Sequence, residues 1–488
     1  MNLHDFCRLT AINAPGVQDV PVASVTEDSR RVKPGTVFAA LPGEHTDGHD
    51  FAQAAADNGA IAIIGSRQGI ESFGGLPYLY AEDPRRAVGI GCHALVGDPT
   101  KDMNVIGVTG TNGKSSTVVM IQHLLNALGK STACLGTLGY SVGGENFPAP
   151  HTTPFAEDLA RLLKQAWDAG QQYAVMEASS HAIEQERIAG IHYTVAAFTN
   201  LTQDHLDYHH DMDTYRAIKM RLFDRISREN GFTVVNVDDP SASAFIDAST
   251  VTCHTYGANG ECRAIEPEFG LRQTSFKVTS PWGDALVRMK LIGAHNVSNA
   301  MCAITVVCGL GVPLSDTAEA LTTLQNVPGR FECIDAGQDF AVVVDYAHTD
   351  DGLRNVLQTA RAICGKRVIC VFGCGGDRDR GKRPKMAAVA AELADYSIIT
   401  SDNPRTEDPQ QILNDVEAGA IAAGQQIDSD YELIGDREQA IRRGIKLAAS
   451  GDLVMIAGKG HEDYQILGAE KIHFDDREVA RQILTERT

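Results

Sequence analysis

Gly107-Val108-Thr109-Gly110-Thr111-Asn112-Gly113-Lys114-Ser115-Ser116-Thr117 decides the reading of this chain. It follows the apolar pair Val105-Ile106 and precedes a stretch in which Ile121, Leu124, Leu125 and Leu128 share one helical face. Strand, glycine-rich turn, lysine–hydroxyl pair and helix together predict a cradle for the phosphates of a nucleoside triphosphate. Glycines let backbone N–H groups crowd round phosphate oxygens, and a helix N-terminus adds partial positive charge. Lys114 is placed to reach the terminal phosphates, and Ser115 or Ser116 to hold magnesium. The usual phosphate loop has a glycine where this chain has Val108. Here the glycines fall at 107, 110 and 113, a spacing that belongs to a subset of ATP users.

Working outward, 488 residues exceed what one hydrophobic core organises, so about two to four domains are expected. Apolar residues at 43% and charged residues at 22% describe an ordinary globular protein. No stretch approaches the roughly 18 apolar residues of a membrane span. The start, Met1 to Arg8, lacks the basic and apolar regions of a secretory signal, which predicts a cytoplasmic location. The eleven cysteines are scattered without a Cys-x-x-Cys pair and read as reduced core thiols. A net charge of −20 excludes nucleic-acid binding, which needs a basic surface. It also requires that the groups gripping phosphate be concentrated locally.

The punctuation predicts three α/β units. Residues 1–98 hold short β-prone runs such as Thr36 to Leu41 and Ala60 to Ile64; Pro99 to Asp102 reads as a linker. Residues 99–329 and 330–488 alternate strand and helix patterns, which predicts largely parallel sheets. Polar motifs recur just after apolar runs: Glu177 after Tyr173-Ala174-Val175-Met176, Asp204-His205 beyond Val195 to Phe198, and Asp345 after Phe340 to Val344. The same holds for Gly373 to Arg378, for Asp402-Asn403-Pro404-Arg405, and for Gly458-Lys459-Gly460-His461-Glu462. Ligands of open α/β sheets bind beyond the carboxyl ends of the strands. A cleft between two such sheets, one carrying ATP and the other a second substrate, is the expected site, with closure on binding.

Glu177 suits a magnesium ion against a triphosphate. His205, His209 and His210 superficially suggest zinc, because two histidines four apart share a helical face; phosphate-bound magnesium nevertheless needs oxygen ligands more than a histidine cluster. Lys219, in an amphipathic helix opening at Tyr215, reads on spacing alone as a surface lysine. Arg378, Arg380, Lys382 and Arg383 form the local positive cluster that the net charge demands, suited to carboxylate or phosphate, or else a solvated charged loop. Asp402 and Arg405 on one turn suit a zwitterionic amino acid, or else pair with each other.

Together these motifs resemble those of the Mur ligases, ATP-dependent amide-forming enzymes of the peptidoglycan stem peptide. The likeness covers nearly the whole chain and rests on Gly110-Thr111-Asn112-Gly113-Lys114, His295-Asn296-Val297-Ser298-Asn299 and Asp345-Tyr346-Ala347-His348, in that order. It implies a small N-terminal uridine-nucleotide domain, a central P-loop-type ATPase domain and a C-terminal Rossmann-like domain. Asp402-Asn403-Pro404-Arg405 resembles the signature of family members that add meso-diaminopimelate to UDP-N-acetylmuramoyl-L-alanyl-D-glutamate.

By that resemblance Ser29, Glu44, His45 and Thr46 would meet the UDP-sugar, and Thr152, Thr153, Ser179, Gln185 and Arg187 the muramoyl dipeptide. Gly110 to Ser116, Asn296, Arg330 and Asp345 would surround ATP. Two magnesium ions would be held by Ser115, Glu177, His205 and Lys219, the last carbamylated by carbon dioxide. Arg378, Asp402, Asn403, Pro404, Arg405, Gly458 and Glu462 would bind diaminopimelate, Arg405 taking the distal carboxylate and Glu462 the distal ammonium. The resemblance further implies a monomer with small-molecule substrates and no nucleic-acid or membrane partner. A lysine-adding relative, a folate–glutamate ligase and a nucleotide-regulated ATPase stay open as alternatives.

Overall fold

The computed structural model describes residues 1–43, 46–227, 229–270 and 273–487, so Glu44 and His45 lie outside the described residues. The chain is α/β with mostly parallel sheets. It divides into two compact units. One holds Met1–Arg263, Thr279–Asp284 and Asn299–Ala320; the other holds Ala264–Val278, Ala285–Ser298 and Leu321–Thr488.

The first unit contains two sheets. In the N-terminal one, Ser24–Thr26, Thr36–Ala39, Ala60–Gly65 and Leu76–Tyr80 run parallel, with Ser72–Phe73 antiparallel at the edge. The larger sheet follows the order Thr252–Tyr256, Phe232–Asn236, Tyr193–Phe198, Asn104–Thr109, Tyr173–Glu177, Thr132–Gly136, Gly139–Val142, Glu145–Phe147. Its first six strands are parallel. Apart from the edge strand Thr252–Tyr256, their residues are largely buried on both faces, as a covered parallel sheet requires. Asn104–Thr109 lies between Tyr173–Glu177 and Tyr193–Phe198, so the ends of three adjacent strands deliver the phosphate loop, Glu177 and Thr199 to one edge.

The region read as a linker is packed. Pro99–Lys101 forms a turn of 3-10 helix in which Thr100 is buried and its hydroxyl accepts from the His192 backbone N–H at 3.1 Å. The linker reading followed proline and polarity, which also describe a capped turn.

The second unit is built on a sheet ordered Glu332–Cys333, Ala341–Asp345, Leu453–Ala457, Val368–Cys374, Tyr396–Ser401, Tyr431–Leu433, parallel except for the first strand. Apolar clusters cover both its faces. All eleven cysteines are free thiols. Among the described residues no helix is long and apolar enough to cross a membrane.

Candidate functional site

The phosphate loop links the strand Asn104–Thr109 to the helix Lys114–Ala127 through two glycines that nothing else can replace comfortably. Gly110 has φ +146°, and a Cβ there would lie 1.9 Å from Thr199 Oγ1. Gly113 has φ +83°, and its Cβ would lie 2.3 Å from Asn299 Oδ1. The loop is clamped by the end of the neighbouring strand. Thr199 Oγ1 donates to Asn112 O at 2.7 Å, and the Asn112 backbone N–H donates to Asn200 Oδ1 at 2.9 Å. Lys114 Nζ donates to Gly110 O at 3.0 Å and Thr111 O at 2.8 Å, which places the ammonium across the mouth of the loop. Ser115 and Ser116 are buried in the first helical turn.

Glu177 ends the adjacent strand and is buried. Its Oε1 accepts from the Thr137 backbone N–H at 2.8 Å, while Oε2 is buried without a hydrogen-bond partner among the described residues. A carboxylate oxygen left bare in the interior is costly unless a cation meets it, so the chemistry of this position fits magnesium.

Lys219 is not a surface lysine. It is 1% exposed, at the end of the helix Met212–Met220; its Nζ donates to Gly110 O at 2.8 Å and sits 4.4 Å from the centre of the Tyr215 ring. Burial, and then the neighbouring Lys114 ammonium, push its pKa well below the ordinary lysine range. A buried, readily neutral amine is nucleophilic, the property that reaction with carbon dioxide requires. Periodicity alone could not reveal this, because the face that Lys219 shares is covered by a loop 109 residues away.

His205 and His209 are one turn apart, the His209 N–H donating to His205 O at 2.9 Å, but they differ in environment. His205 has φ +53° and only precedes the one-turn helix Leu206–His209. It is exposed, 3.4 Å from Asp204. His209 is buried, its Nε2 2.9 Å from Ser180 Oγ, which makes it a structural residue. The His181 ring meets His205 edge-on at 4.9 Å between centres and lies tilted to His209 at 5.3 Å.

The residues expected at the muramoyl dipeptide come together. Thr153 Oγ1 donates to Glu177 O at 2.7 Å and to Ser179 Oγ at 3.2 Å. Arg187 donates to Thr153 O at 3.2 Å, grips Gln185 Oε1 through Nε and Nη2, and lies 4.1 Å from the Phe155 ring centre. Thr152 Oγ1 is 3.1 Å from Thr137 Oγ1. In the N-terminal sheet region Ser29 opens a 3-10 turn capped by Asp28, and Thr46 O accepts from the Gly43 N–H.

In the second unit the candidates sit at carboxyl ends of strands. Asp345 accepts from the Phe331 and Ala347 backbone N–H groups at 2.7 Å each, and burial raises its pKa despite Arg330 nearby. Arg330 lies 4.9 Å from the Tyr346 ring centre, and Asn296 Nδ2 donates to Ile292 O.

The Asp402–Arg405 turn is resolved into two separate tasks. Arg405, at φ +54°, donates from Nη1 to the Gly376 carbonyl at 2.7 Å, and a Cβ on Gly375 would lie 2.9 Å from the same nitrogen. Among the described residues Asp402 instead faces Lys459, with Oδ1 3.6 Å from Nζ. Asn403 Nδ2 donates to Glu462 Oε2 at 3.0 Å, and a Cβ on Gly458 would stand 3.0 Å from Asp402 Oδ2.

The basic loop is a correction. Arg383 is fully buried and bonded to Glu407 and Asp415; Arg380 is 3.0 Å from Glu407, and Lys382 donates to His348 O. Arg383 in turn holds Glu407 down to about 2. These cations brace the loop, and of the four Arg378 is bonded only to the Asp377 carbonyl in the described contacts.

Comparison with known proteins follows this geometry. The Mur ligase middle domain matches residues 108–307, the Mur ligase glutamate ligase domain 329–460, and the Mur ligase family catalytic domain 21–88. A UDP-N-acetylmuramoyl-L-alanyl-D-glutamate--2,6-diaminopimelate ligase of Syntrophomonas wolfei is 44% identical over 480 residues, covering 98% of this chain and 97% of that protein. This chain belongs to the Mur ligase family. A ligase of the same description from Thermosynechococcus vestitus is also 44% identical, over 100% of this Mur ligase and 98% of the relative. A solved structure of such a ligase matches 99% of both chains with a TM-score of 0.73 at 33% identity. The folylpolyglutamate synthase of Mycobacterium tuberculosis shares the fold, at a TM-score of 0.61 and 19% identity over 77% of this chain.

Two parts of this Mur ligase's candidate site escaped the sequence reading. Thr199, Asn200 and Tyr215 hold the phosphate loop, Tyr215 OH lying 3.3 Å from Thr111 Oγ1. Lys459, fully buried, ties Asp402 to Glu462. The sequence shows Lys459 within the run Gly458 to Glu462 but carries no signal that Asp402, 57 residues earlier, covers it.

Proposed function

We propose that this Mur ligase adds meso-diaminopimelate to UDP-N-acetylmuramoyl-L-alanyl-D-glutamate at the cost of ATP, forming ADP and phosphate in peptidoglycan precursor synthesis. Near-full-length relatives carrying that description support the reading. The observation that carries the amino acid is Arg405, whose guanidinium meets a backbone carbonyl, not Asp402, on a turn shared with buried carboxylates. A guanidinium fork with N–H groups to spare suits a distal carboxylate, and a site built for that group rejects an analogue lacking it.

On this reading residues 1–98 take the uridine nucleotide through Ser29 and Glu44 to Thr46, residues 99–329 take ATP, and residues 330–488 take the amino acid. Thr152, Thr153, Ser179, Gln185 and Arg187 hold the dipeptide so that its D-glutamyl carboxylate faces the γ-phosphate. A carboxylate oxygen attacks that phosphorus, ADP departs, and an acyl phosphate results. The neutral amine of diaminopimelate attacks the acyl carbon and loses a proton, and phosphate leaves as the amide forms. Lys114 and the N–H groups of Gly110 and Gly113 hold the phosphates in line. Ser115, Glu177, His205 and a carbamylated Lys219 would hold two magnesium ions, which when bound neutralise charge on the phosphates. The depressed basicity of Lys219 supports its carbamylation. We place the enzyme in the bacterial cytoplasm as a monomer; its free thiols suit a reducing compartment.

The test is phosphate release from ATP and UDP-N-acetylmuramoyl-L-alanyl-D-glutamate with either meso-diaminopimelate or L-lysine. Strong release with diaminopimelate alone is expected. Equal or greater release with L-lysine refutes the assignment of Arg405, and release indifferent to both amino acids refutes the ligase reading.

A further inference from the structure

Lys459 has no role in the reaction as derived, yet it is 0% exposed and sits at the centre of the residues assigned to the amino acid. Its Nζ is 3.2 Å from Glu462 Oε2, 3.3 Å from Asn403 Oδ1 and 3.6 Å from Asp402 Oδ1, with the Tyr464 ring centre at 5.4 Å. The frame around it is tied by further bonds. Gln465 Nε2 donates to Asp402 O at 2.7 Å, the Ile466 N–H donates to Asn403 Oδ1 at 3.0 Å, and the Arg405 N–H donates to Ile466 O at 3.1 Å. Asp402 Oδ1 is buried without a hydrogen-bond partner among the described residues, although its residue is 6% exposed. In the described contacts this oxygen meets the Lys459 ammonium at 3.6 Å, an ion pair beyond hydrogen-bond reach, so it keeps the capacity to accept from a ligand ammonium.

We propose that Lys459 is a specificity-determining residue that sets the charge of the distal amino-acid pocket to zero. The count covers the turn and the Gly458–Glu462 segment, with Arg405 and Lys459 as cations and Asp402 and Glu462 as anions; Arg378 is exposed on its own loop, where solvent screens it, and is not counted. Arg437, whose field reaches Asp402 and Glu462, is closed by Asp476 at 2.7 Å and adds no net charge. A neutral pocket with separated signs matches a zwitterionic end, carboxylate on Arg405 and ammonium on the acidic pair. The end of L-lysine carries an ammonium alone and leaves Arg405 unanswered. Without Lys459 the remaining groups sum to one negative charge, which matches a lone ammonium. Discrimination thus rests on the buried lysine as well as on the arginine, and charge mismatch in a low-dielectric pocket is heavily penalised.

This inference rests on the functional reading above, and one experiment separates the two. The ratio of kcat/KM for meso-diaminopimelate to that for L-lysine is measured in the wild-type enzyme, Lys459→Gln and Lys459→Arg. Lys459→Gln is expected to lower the ratio on the order of tenfold to a hundredfold, mainly through the two amino-acid KM values, with the KM for ATP unchanged. Lys459→Arg keeps the charge and is expected to retain the preference. A general packing defect would depress both amino acids alike and leave the ratio in place, which overturns the inference while the function stands. Should Lys459→Gln not fold, the wild-type enzyme is assayed with 2-aminopimelate, whose distal end has the carboxylate without the amine. A neutral pocket rejects it as it rejects lysine; acceptance equal to diaminopimelate means a net positive pocket and overturns the inference. Absence of any amino-acid-dependent release in the wild type sinks the functional reading, and this inference with it.

Discussion

Gly110→Ala tests the idea that the phosphate loop is held from its neighbour strand. The added methyl would stand 1.9 Å from Thr199 Oγ1 and 3.1 Å from the Asn200 backbone N and O, all on the segment that clamps Asn112. Relief requires Thr199 to withdraw, which breaks its 2.7 Å bond to Asn112 O; that loss is worth ~1 kcal/mol. The backbone at φ +146° adds strain of ~1–2 kcal/mol for a residue with a Cβ. Together the loss is about 2–3 kcal/mol in loop geometry, on the order of thirtyfold to a hundredfold in ATP affinity. Calorimetric titration with ADP and the KM for ATP in phosphate release read it directly. Thr199→Ala removes the colliding oxygen, so the double variant should recover at least ~1 kcal/mol against the sum of the single losses. Strict additivity, or a Gly110→Ala enzyme that binds nucleotide normally, would refute the clamp.

Lys219→Met should abolish turnover while leaving nucleotide binding within a few fold, and wild-type activity should fall on stripping carbon dioxide and return with bicarbonate; activity indifferent to both defeats the carbamate. His93 is buried with neither ring nitrogen hydrogen-bonded among the described residues, and burial lowers its pKa to about 4. The unfolded chain therefore binds this proton first, so stability is whole above about pH 6.5 and drains away as pH falls toward 4, by up to ~3 kcal/mol. From pH 6.5 down toward 4 the melting temperature of the wild type should fall relative to that of His93→Leu, and a constant difference between the two counts against it. Arg437 and Asp476 are both fully buried and bonded at 2.7 Å, so Arg437→Met strands a carboxylate and should cost about 3–5 kcal/mol, read as a lowered denaturation midpoint.

The strands at the site were legible because fully covered parallel strands are uniform apolar runs that stop abruptly. Tyr173–Glu177 and Ala341–Asp345 each end on the first polar residue after such a run, and Leu453–Ala457 ends just before Gly458. The phosphate loop was legible for a different reason, since its glycines are demanded locally by backbone geometry. What failed were judgements of solvent exposure for charged residues. Lys219 is covered by Gly110 and Arg383 by Glu407 and Asp415, partners that lie 24 to 109 residues away in sequence. No period or spacing encodes such meetings. Asp402 and Arg405, neighbours in sequence, are parted because Arg405 takes a left-handed backbone and turns to Gly376.

The bracing of the basic loop has a kinetic consequence. With Arg380 and Arg383 paired to Glu407 and Asp415, and Arg437 to Asp476, these arginines make no local positive field to set against the net charge of −20. Anionic nucleotides therefore diffuse toward a protein whose long-range field repels them, and meet attraction only within the last few ångströms. Dissolved salt shortens that repulsive reach to about 10 Å at 0.1 M, so moderate ionic strength should quicken nucleotide capture, the reverse of the behaviour of a positively steered enzyme.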